Sequence, residues 1–266
     1  MGATLGLAGA ALQGLLRNPL AGPGLVGVSN CAALGAVIAL YFGWSSVLWF
    51  AIPLAGMIGA AISVVLVFLL AGQKSSITTL ILAGVAVNAV ASSLISLALN
   101  FAPNPYAMSE IVFWLLGSLA NRSMADFLLA CPLMIIGWLL ILSSRRFLDA
   151  LSLGEETAQS LGFNLAQQKT IIVIGVAFCV GAAVSVSGNI GFVGLLVPHL
   201  LRPLVGYEPG RLLTASLLGG AIMVLIADIA VQLISPDQEL KLGVITALVG
   251  GPFFLYLIIK TRNTLV

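Results

Sequence analysis

Long apolar runs separated by short polar segments make up most of the chain. A membrane-spanning α-helix needs about 20 apolar residues, and runs of about 15 to 18 suffice inside a bundle. The shorter apolar run 111–120 is too brief to cross, and we expect a half-helix or an interfacial piece there. The nine runs long enough to span lie near 2–16, 25–42, 47–71, 77–101, 127–144, 170–187, 190–205, 212–234 and 242–259.

The composition agrees with an all-α integral membrane protein folded as a polytopic helical bundle. Of 266 residues, 60% are hydrophobic and 8% are charged. Soluble domains carry about 25% charged residues, so this chain could not cover a water-soluble fold. The runs are unbroken and lack the alternation typical of barrel strands. The three cysteines lie far apart in apolar runs, so they are predicted to be packing residues.

The distribution of lysine and arginine predicts the orientation. If the loop 143–169 is cytoplasmic, helix alternation leaves only Arg122 and Lys241 outside. The positive-inside rule favours this orientation over its opposite. We therefore expect a multi-pass protein of the cell (inner) membrane with a cytoplasmic C-terminus, and we read the basic excess as a topology signal rather than a sign of nucleic-acid binding. The residues placed inside are Arg17, Lys74, Arg145, Arg146, Lys169, Arg202, Arg211, Lys260 and Arg262.

The same count places Met1 outside, directly before the run 2–16. We expect that a further N-terminal span belongs before this residue.

The segment 152–169 is the one long polar stretch, and its sequence predicts two short capped helices. Ser152 and Glu155 have the spacing of a capping box, and Glu155 lies where the helix dipole favours an anion. Gly162 suits the left-handed residue after a helix C-terminus, and Asn164 begins a second box. A structured helix-turn-helix on the water side of a membrane protein is typical of a docking surface for a soluble partner.

Small residues and helix breakers indicate how the bundle packs. The 29 glycines cluster in small-residue runs, which let helices approach closely in lipid. Glycine or proline breaks predict irregular backbone inside a large bundle. The breaks lie at 17–24, 198–203 and 249–254.

Six segments, in order along the whole chain, carry a family resemblance. They are LLRNPLAGPGLVGVSNCAALGA (15–36), LILAGVAVNAV (80–90), FWLLGS (113–118), SLGEETAQSLGF (152–163), GNIGFVGLLVPHLLRPLVG (188–206) and ELKLGVITALVGGPFFLYLI (239–258). The chain resembles the FecCD-type permeases, the membrane subunits of ABC importers for iron-siderophores, haem and vitamin B12.

The resemblance implies a fold and a set of partners. Such a permease has ten spans, of the type II importer kind, so residues 1–266 resemble a single permease domain with about nine spans present. It works as a homodimer or as a pair of related subunits. Two cytoplasmic ABC ATPases dock on it, and a periplasmic or lipid-anchored binding protein delivers the substrate. This chain is then expected to bind no cofactor, because ATP and Mg²⁺ are used by the ATPase.

The polar segment 152–169 resembles the coupling helices, which sit in a cleft of the ATPase. The alternative is an ordinary capped loop. The ATPase-coupling residues implied by the match are Gly154, Glu155, Ala158, Leu161 and Gly162.

Two pairs of residues are candidates for the gate of the pathway that the resemblance implies. Asn18 and Leu20 match residues that narrow the inner mouth of the translocation pathway, and Ser76 and Thr78 begin the span that lines it. Small polar side chains suit a wet lining that must not hold its cargo tightly. Helix capping by Ser75 or Ser76 is the alternative interpretation.

The outer end departs from the family pattern. An arginine expected near the end of the run 212–234 is Gln232, and a proline usual in the last motif is Lys241. Gln232 and Lys241 are therefore the candidates for docking the binding protein, with Lys241 supplying positive charge. His199 is the only histidine and makes a poor metal site by itself, so no metal site is predicted. Asp228 is expected to hydrogen-bond near a helix end, although intramembrane acids are also functional candidates.

Three classes of function compete. The chain has no G-x-x-x-x-G-K-[ST] loop, so an ATP-driven permease would depend on a partner and would not itself be an enzyme. An ion-coupled secondary transporter generally needs intramembrane acids or histidines, and Asp228 is a marginal one. An intramembrane enzyme would need a catalytic set that the sequence does not show. For an importer, iron-siderophore leads as substrate, with haem and cobalamin behind.

Overall fold

The computed structural model describes residues 1–72, 76–234 and 240–262, and these residues form twelve α-helices and no β-strand. The helices are α1 (Gly2–Leu16), α2 (Val28–Tyr41), α3 (Ala51–Ala71), α4 (Ile77–Asn100), α5 (Pro105–Leu115), α6 (Met124–Ser143), α7 (Arg145–Ser152), α8 (Glu155–Ser160), α9 (Leu165–Ser187), α10 (Val193–Leu201), α11 (Pro209–Ile234) and α12 (Leu242–Arg262). The predicted all-α fold is confirmed.

Each of the nine predicted apolar runs contains one helix. Within the described residues, α3, α4, α6, α9 and α11 are long and apolar enough to cross a membrane, and α1, α2, α10 and α12 are shorter apolar helices. The short run 111–120 forms the end of α5. This helix begins earlier than the run because Asn104 caps it, accepting a hydrogen bond from Ala107 N–H, and Pro105 occupies its first position.

Two helices, α1 and α9, form the centre of the bundle. Thirteen of the 15 residues of α1 are buried. The apolar window of α9 is 78% buried, against 17–28% for the other four long helices. A helix that is apolar all round and buried all round must be surrounded by other helices, whereas the outer ones turn an apolar face to lipid.

Close backbone contacts hold α1 in place. A Cβ added at Gly6 would overlap the carbonyl oxygen of Ser216 in α11, and one at Gly9 would overlap that of Gly194 in α10. Gly2 and Gly220 meet in the same way. Small residues therefore bring three helices to backbone contact, as the small-residue runs predict.

Irregular backbone interrupts the bundle at two places that meet. One is the segment 17–27, which contains a 3₁₀ turn at Pro23–Val26 before α2 begins. The other is the segment 188–192, which leads into the nine-residue α10. A Cβ at Gly194 would lie 3.1 Å from Pro23 Cδ. Such backbone is tolerated inside a membrane protein where it is buried in protein or lines a cavity.

The polar segment has a different helical pattern from the one predicted. Ser152 is the last residue of α7 rather than a helix cap, and its Oγ donates to the Asp149 carbonyl oxygen at 2.6 Å. The predicted box of Ser152 and Glu155 is therefore wrong, and Gly154 precedes α8 without a side-chain cap. Asn164 does cap a helix, accepting from Gln167 N–H at 3.1 Å, but this helix is the 23-residue α9 rather than a second short one. The two short helices are α7 and α8, here called the α7–α8 hairpin (145–160).

Candidate functional site

One face of α7 packs the α7–α8 hairpin against the rest of the bundle. Phe147, Leu148 and Leu151 are almost fully buried. Phe147 also contacts the ring of Phe163, edge to face, with centroids 5.8 Å apart. The buried residues are the interior-facing stripe of an amphipathic helix. The hairpin is thus a fixed part of the bundle surface, unlike a loose loop.

The end of α8 forms a Schellman motif. Gly162 has φ +88°, as expected for the residue after the helix. Its N–H donates to Gln159 O at 2.9 Å, and Phe163 N–H donates to Ala158 O at 3.1 Å. These two bonds satisfy carbonyls that the short helix would otherwise leave free. Gly162 therefore sets the direction in which the chain enters α9.

A second set of contacts holds α8. Glu155 Oε1 accepts from Lys169 Nζ at 3.1 Å, joining the first turn of α8 to α9. Ala158 is fully buried, and Gly154 has φ +118°. The five predicted coupling residues thus lie together in one hairpin and the turn after it, where Gly154, Glu155, Ala158 and Gly162 shape the surface.

The exposed surface of the hairpin and of the turn that follows it is apolar at two positions. Leu161 is 62% exposed and Leu153 is 70% exposed. Both lie beside charged or polar residues, where a lipid-facing position would not be expected. An exposed apolar side chain on a hairpin that packs against the bundle is suited to fill a cleft in a protein partner.

The segment 17–27 contains the first predicted gate residues. Asn18 Oδ1 accepts a hydrogen bond from Leu20 N–H at 2.9 Å, so Asn18 fixes the local turn. Leu20 contributes to the wall of a cavity of about 420 Å³. Leu20 therefore borders the cavity, and its hydrogen bond to Asn18 fixes the backbone that carries it.

The cavity lies where the segments 17–27 and 188–192 meet. Its lining combines leucines and glycines with four neutral polar side chains, Ser29, Asn30, Asn88 and Asn189. Asn30 Nδ2 donates to Ser92 Oγ of α4 at 2.7 Å. Asn88 Oδ1 is buried and has no hydrogen-bond partner among the described residues. A neutral polar chamber among apolar helices can hold water and contact polar cargo weakly.

Beyond Asn88, α4 presents a polar stripe. Asn88, Ser92 and Ser96 are four residues apart, so they share one helix face. Ser96 and the neighbouring Ser93 each donate to the backbone carbonyl four residues earlier, and both lie at the exposed surface of α4. Exposed hydroxyls on a helix of mean hydropathy 2.1 suit a wet pathway or a partner helix better than lipid.

The predicted residues at the start of α4 lie away from this cavity's lining. Ser76 accepts from Thr79 N–H at 3.1 Å, so it caps the helix. Thr78 is exposed in the first turn. Ser75, the other candidate cap, lies outside the described residues. The capping interpretation is therefore correct for Ser76, and a pathway role for Ser76 and Thr78 stays a prediction.

The end of the bundle opposite the hairpin contains the candidates for binding-protein docking. Gln232 Nε2 donates to Asp228 Oδ2 at 2.9 Å, one turn earlier in α11. The expected hydrogen bond of Asp228 is therefore present. Lys241 Nζ lies 5.7 Å from the centroid of the Phe113 ring, which is a cation–π distance. Docking by Gln232 and Lys241 stays a prediction.

The described residues include no group of three His, Cys, Asp or Glu side chains placed to hold a metal ion. His199 lies in α10 and contacts the Phe253 ring edge to face, with centroids 5.8 Å apart.

Burial lowers the pKa of the Arg122 guanidinium, whereas the charge of Asp126 raises it. An arginine remains cationic at neutral pH, so Arg122 keeps a positive charge at that end.

Sequence reasoning missed the cavity residues Asn30, Asn88 and Asn189, and Ser92 beside them. The four-residue spacing of Asn88, Ser92 and Ser96 in an apolar run was a usable signal, because polar residues in a span usually face away from lipid. No pattern in the sequence indicated that the segments 17–27 and 188–192 lie next to each other.

Relatives of known type share this architecture. The family model of the FecCD transport family matches residues 1–260. The hemin transport system permease protein HmuU of Yersinia pestis is 37% identical over 267 residues, which cover 99% of this chain and 80% of that protein. The Fe(3+)-citrate import system permease protein YfmE of Bacillus subtilis is 39% identical, with 97% and 77% covered. The vitamin B12 import system permease protein BtuC of Salmonella paratyphi A is 35% identical, with 99% and 80% covered.

Solved structures agree with the sequence relatives. A metal-chelate type ABC transporter in an inward-facing conformation superposes with a TM-score of 0.90 at 33% identity, covering 97% of this chain and 82% of that one. PsaBC from Streptococcus pneumoniae gives a TM-score of 0.61 at 17% identity and shows a shared fold alone, with 96% and 87% covered. The chain therefore belongs to the FecCD transport family, and it is a membrane permease subunit of an ABC importer rather than an enzyme.

Proposed function

We propose that this permease carries an iron-siderophore or a similar metal chelate, such as haem or cobalamin, across the cytoplasmic membrane, driven by a partner ATPase. The substrate class is supported by the relatives, which carry hemin, ferric citrate and vitamin B12 names. Iron chelates are placed first because two of these three relatives carry iron compounds. Within this class, specificity would depend largely on the binding protein.

One observation supports the ATP-driven mechanism above the others. The α7–α8 hairpin buries one face against the bundle and leaves Leu161 exposed beside a structured cap. An ion-coupled carrier, the alternative, has no use for a rigid docking surface. Among the described residues that line the cavity, none is an acid, a base or a histidine that could relay protons.

The proposed assembly contains two permease subunits, two ABC ATPases and a substrate-binding protein. The second permease would be another copy of this chain or a related subunit, and the exposed serines Ser93 and Ser96 of α4 are candidates for its contact surface. The ATPases would occupy the hairpin end in the cytoplasm. The binding protein, periplasmic or lipid-anchored, would occupy the opposite end near Gln232 and Lys241. The C-terminus would then be cytoplasmic.

The cavity suggests how cargo could pass without being trapped. Amide and hydroxyl groups of Asn30, Asn88 and Ser29 can replace some of the cargo's hydration, and the leucines around them offer no strong hydrogen bonds. Leu20 borders the space from a segment of irregular backbone, which can shift with less rearrangement than a helix. ATP binding and hydrolysis in the partner would change the position of this segment through the bundle.

Reconstitution tests the proposed function. The permease is placed in liposomes with its ATPase inside and its binding protein outside, and uptake of radiolabelled ferric siderophore, haem and cobalamin is measured with and without ATP. We expect ATP-dependent uptake of one of these chelates. Uptake that follows an ion gradient and ignores ATP would instead identify a secondary transporter.

The proposed orientation predicts a labelling result. In a background without Cys31, Cys131 and Cys179, single cysteines are introduced at Ser160 in the hairpin and at Tyr106 in α5. Both positions are exposed. A membrane-impermeant maleimide added to intact cells should label the Tyr106→Cys protein and spare the Ser160→Cys protein until the membrane is opened. Labelling of both proteins in intact cells would contradict the orientation.

The cavity predicts that activity and stability separate at Asn88. Its Oδ1 has no hydrogen-bond partner among the described residues, so Asn88→Leu breaks no protein hydrogen bond of that atom and should leave the melting temperature near the wild-type value. Uptake should nevertheless fall several-fold, because the cavity loses a polar contact. Asn30→Leu is the comparison: it breaks the bond to Ser92 and should lower both quantities. Normal uptake by Asn88→Leu would exclude this cavity from the pathway.

A further inference from the structure

A hydrogen bond joins the α7–α8 hairpin to a distant membrane helix. Asp149 in α7 accepts the N–H of Gly210 through Oδ1 at 2.6 Å, across 61 residues of chain. Gly210 is the second residue of α11, so its N–H is one of those that a helix cannot satisfy internally. Pro209, the first residue, has no N–H to satisfy. A side chain of the hairpin thus performs the capping that a residue next to α11 would normally provide.

The fit around this bond is close. A Cβ at Gly210 would lie 2.5 Å from Asp149 Oδ2 and 2.9 Å from Oδ1, so a larger residue there would push the carboxylate away. The carboxylate also lies where the positive end of the α11 dipole attracts an anion. The backbone of Asp149 is held by its buried neighbour Leu148. A Cβ added at Gly14 of α1 would lie 3.3 Å from Leu148 Cδ2, so this side chain packs directly against α1. Movement of α7 relative to α11 must break the bond or carry α11 along.

From α11 the contacts continue to the cavity. Gly6 of α1 meets the backbone of α11 at Ser216, with no side chain between the helices to absorb a shift. The end of α1 leads directly into the segment 17–27, where Asn18 holds Leu20 against the cavity. The salt bridge between Glu155 and Lys169 acts only locally. It joins α8 to the start of α9, 14 residues along the chain, and involves no residue of α11.

We propose that Asp149 is a positioning residue that transmits movement of the α7–α8 hairpin to α11, and through α1 to the cavity. This proposal rests on the proposed function, because it assumes that an ATPase moves the hairpin. Asp149 is not among the residues that line the cavity. Its role is to make the hairpin and the N-terminus of α11 move together.

The test uses proteoliposomes that contain the permease, its ATPase and its binding protein. Docking is measured as co-purification of ATPase, and coupling is measured as substrate carried per ATP hydrolysed. Asp149 is an exposed residue of the hairpin, so ATPase co-purification is measured first and transport is expressed per ATP hydrolysed by the bound ATPase. For Asp149→Ala we expect this ratio to fall at least about fivefold, the lower range of usual coupling effects. Loss of ATPase co-purification would instead make Asp149 a docking residue and overturn the proposal. Asp149→Asn keeps an acceptor oxygen and should retain most of the coupling. Gly210→Ala should impair coupling in the wild-type background and have little further effect in Asp149→Ala, because the clashing carboxylate is gone.

Asp126 provides the matched control. Its carboxylate accepts Ser123 N–H at 2.9 Å at the start of α6, so Asp126→Ala also removes a capping contact. Its coupling ratio should stay at the wild-type value. A wild-type ratio in Asp149→Ala, or an equal fall in Asp126→Ala, would overturn the transmission role. Failure of the wild-type protein to recruit ATPase would instead overturn the proposed function on which it rests.

Discussion

A glutamate at position 161 is expected to abolish ATPase docking and substrate uptake while the membrane bundle still assembles. Leu161 is 62% exposed at the end of α8, so its replacement removes little packing within the chain. If the side chain is buried in an ATPase cleft, a carboxylate there costs about 2 kcal/mol or more.

A second substitution tests the same surface through backbone conformation. Gly162 has φ +88°, and no atom lies within 4 Å of the position that a Cβ would occupy, so valine there meets backbone strain rather than a clash. A β-branched residue tolerates positive φ poorly. Gly162→Val should weaken the Schellman bonds, change the direction of α8 and reduce docking. Gly162→Ala should show a smaller loss in the same direction.

The measurement is co-purification of ATPase with the tagged permease, together with ATP-dependent uptake. Tyr106→Glu adds the same charge at an 83% exposed residue of α5, away from the hairpin, and should bind ATPase normally. All variants should reach the membrane at similar levels. If Leu161→Glu and Gly162→Val transport as well as the wild type, the hairpin is an ordinary loop and the docking assignment is wrong.

A methyl group at Gly9 is expected to disrupt the bundle itself. The added Cβ would overlap the carbonyl oxygen of Gly194, and backbone atoms cannot rotate away as a side chain can. Overpacking of a core commonly costs about 1–3 kcal/mol, and rigid backbone places this site at or above that range. Because α10 must move to make room, the cavity bordered by Gly194 and Leu195 should also be distorted. Transport should be lost together with stability.

Gly251→Ala is the matched control. Gly251 is also a helical glycine in an apolar helix, α12, but a Cβ there meets no atom within 4 Å. Thermal unfolding in detergent and the amount of protein in the membrane should fall for Gly9→Ala and remain near wild type for Gly251→Ala. Equal behaviour of the two variants would show that the contact of α1 with α10 is looser than the structure has it.

The sequence predicts those structural features, such as helix positions and helix ends, that depend only on residues adjacent in the chain. Apolar runs locate the nine apolar helices, because burying backbone polar groups in lipid requires helices wherever the chain is hydrophobic. The left-handed conformation predicted for Gly162 is present, since a helix end is a local event. The Ser152 box is wrong because Phe147, Leu148 and Leu151 gain burial only by forming α7, which extends through Ser152 and removes it from the capping position.

By itself, the sequence determined a helical membrane protein whose long polar stretch contains a short helix, because composition, periodicity and capping are properties of adjacent residues. It did not predict α7, and it assigned the Asn164 cap to a short helix rather than to α9. Tertiary structure alone decided which helices are central, where the cavity lies and what Asp149 touches. Asp149 and Gly210 are 61 residues apart, and Asn30 and Ser92 are 62 apart. No local pattern encodes such pairs, because they arise only when glycine contacts such as Gly9 with Gly194 fix how the helices pack.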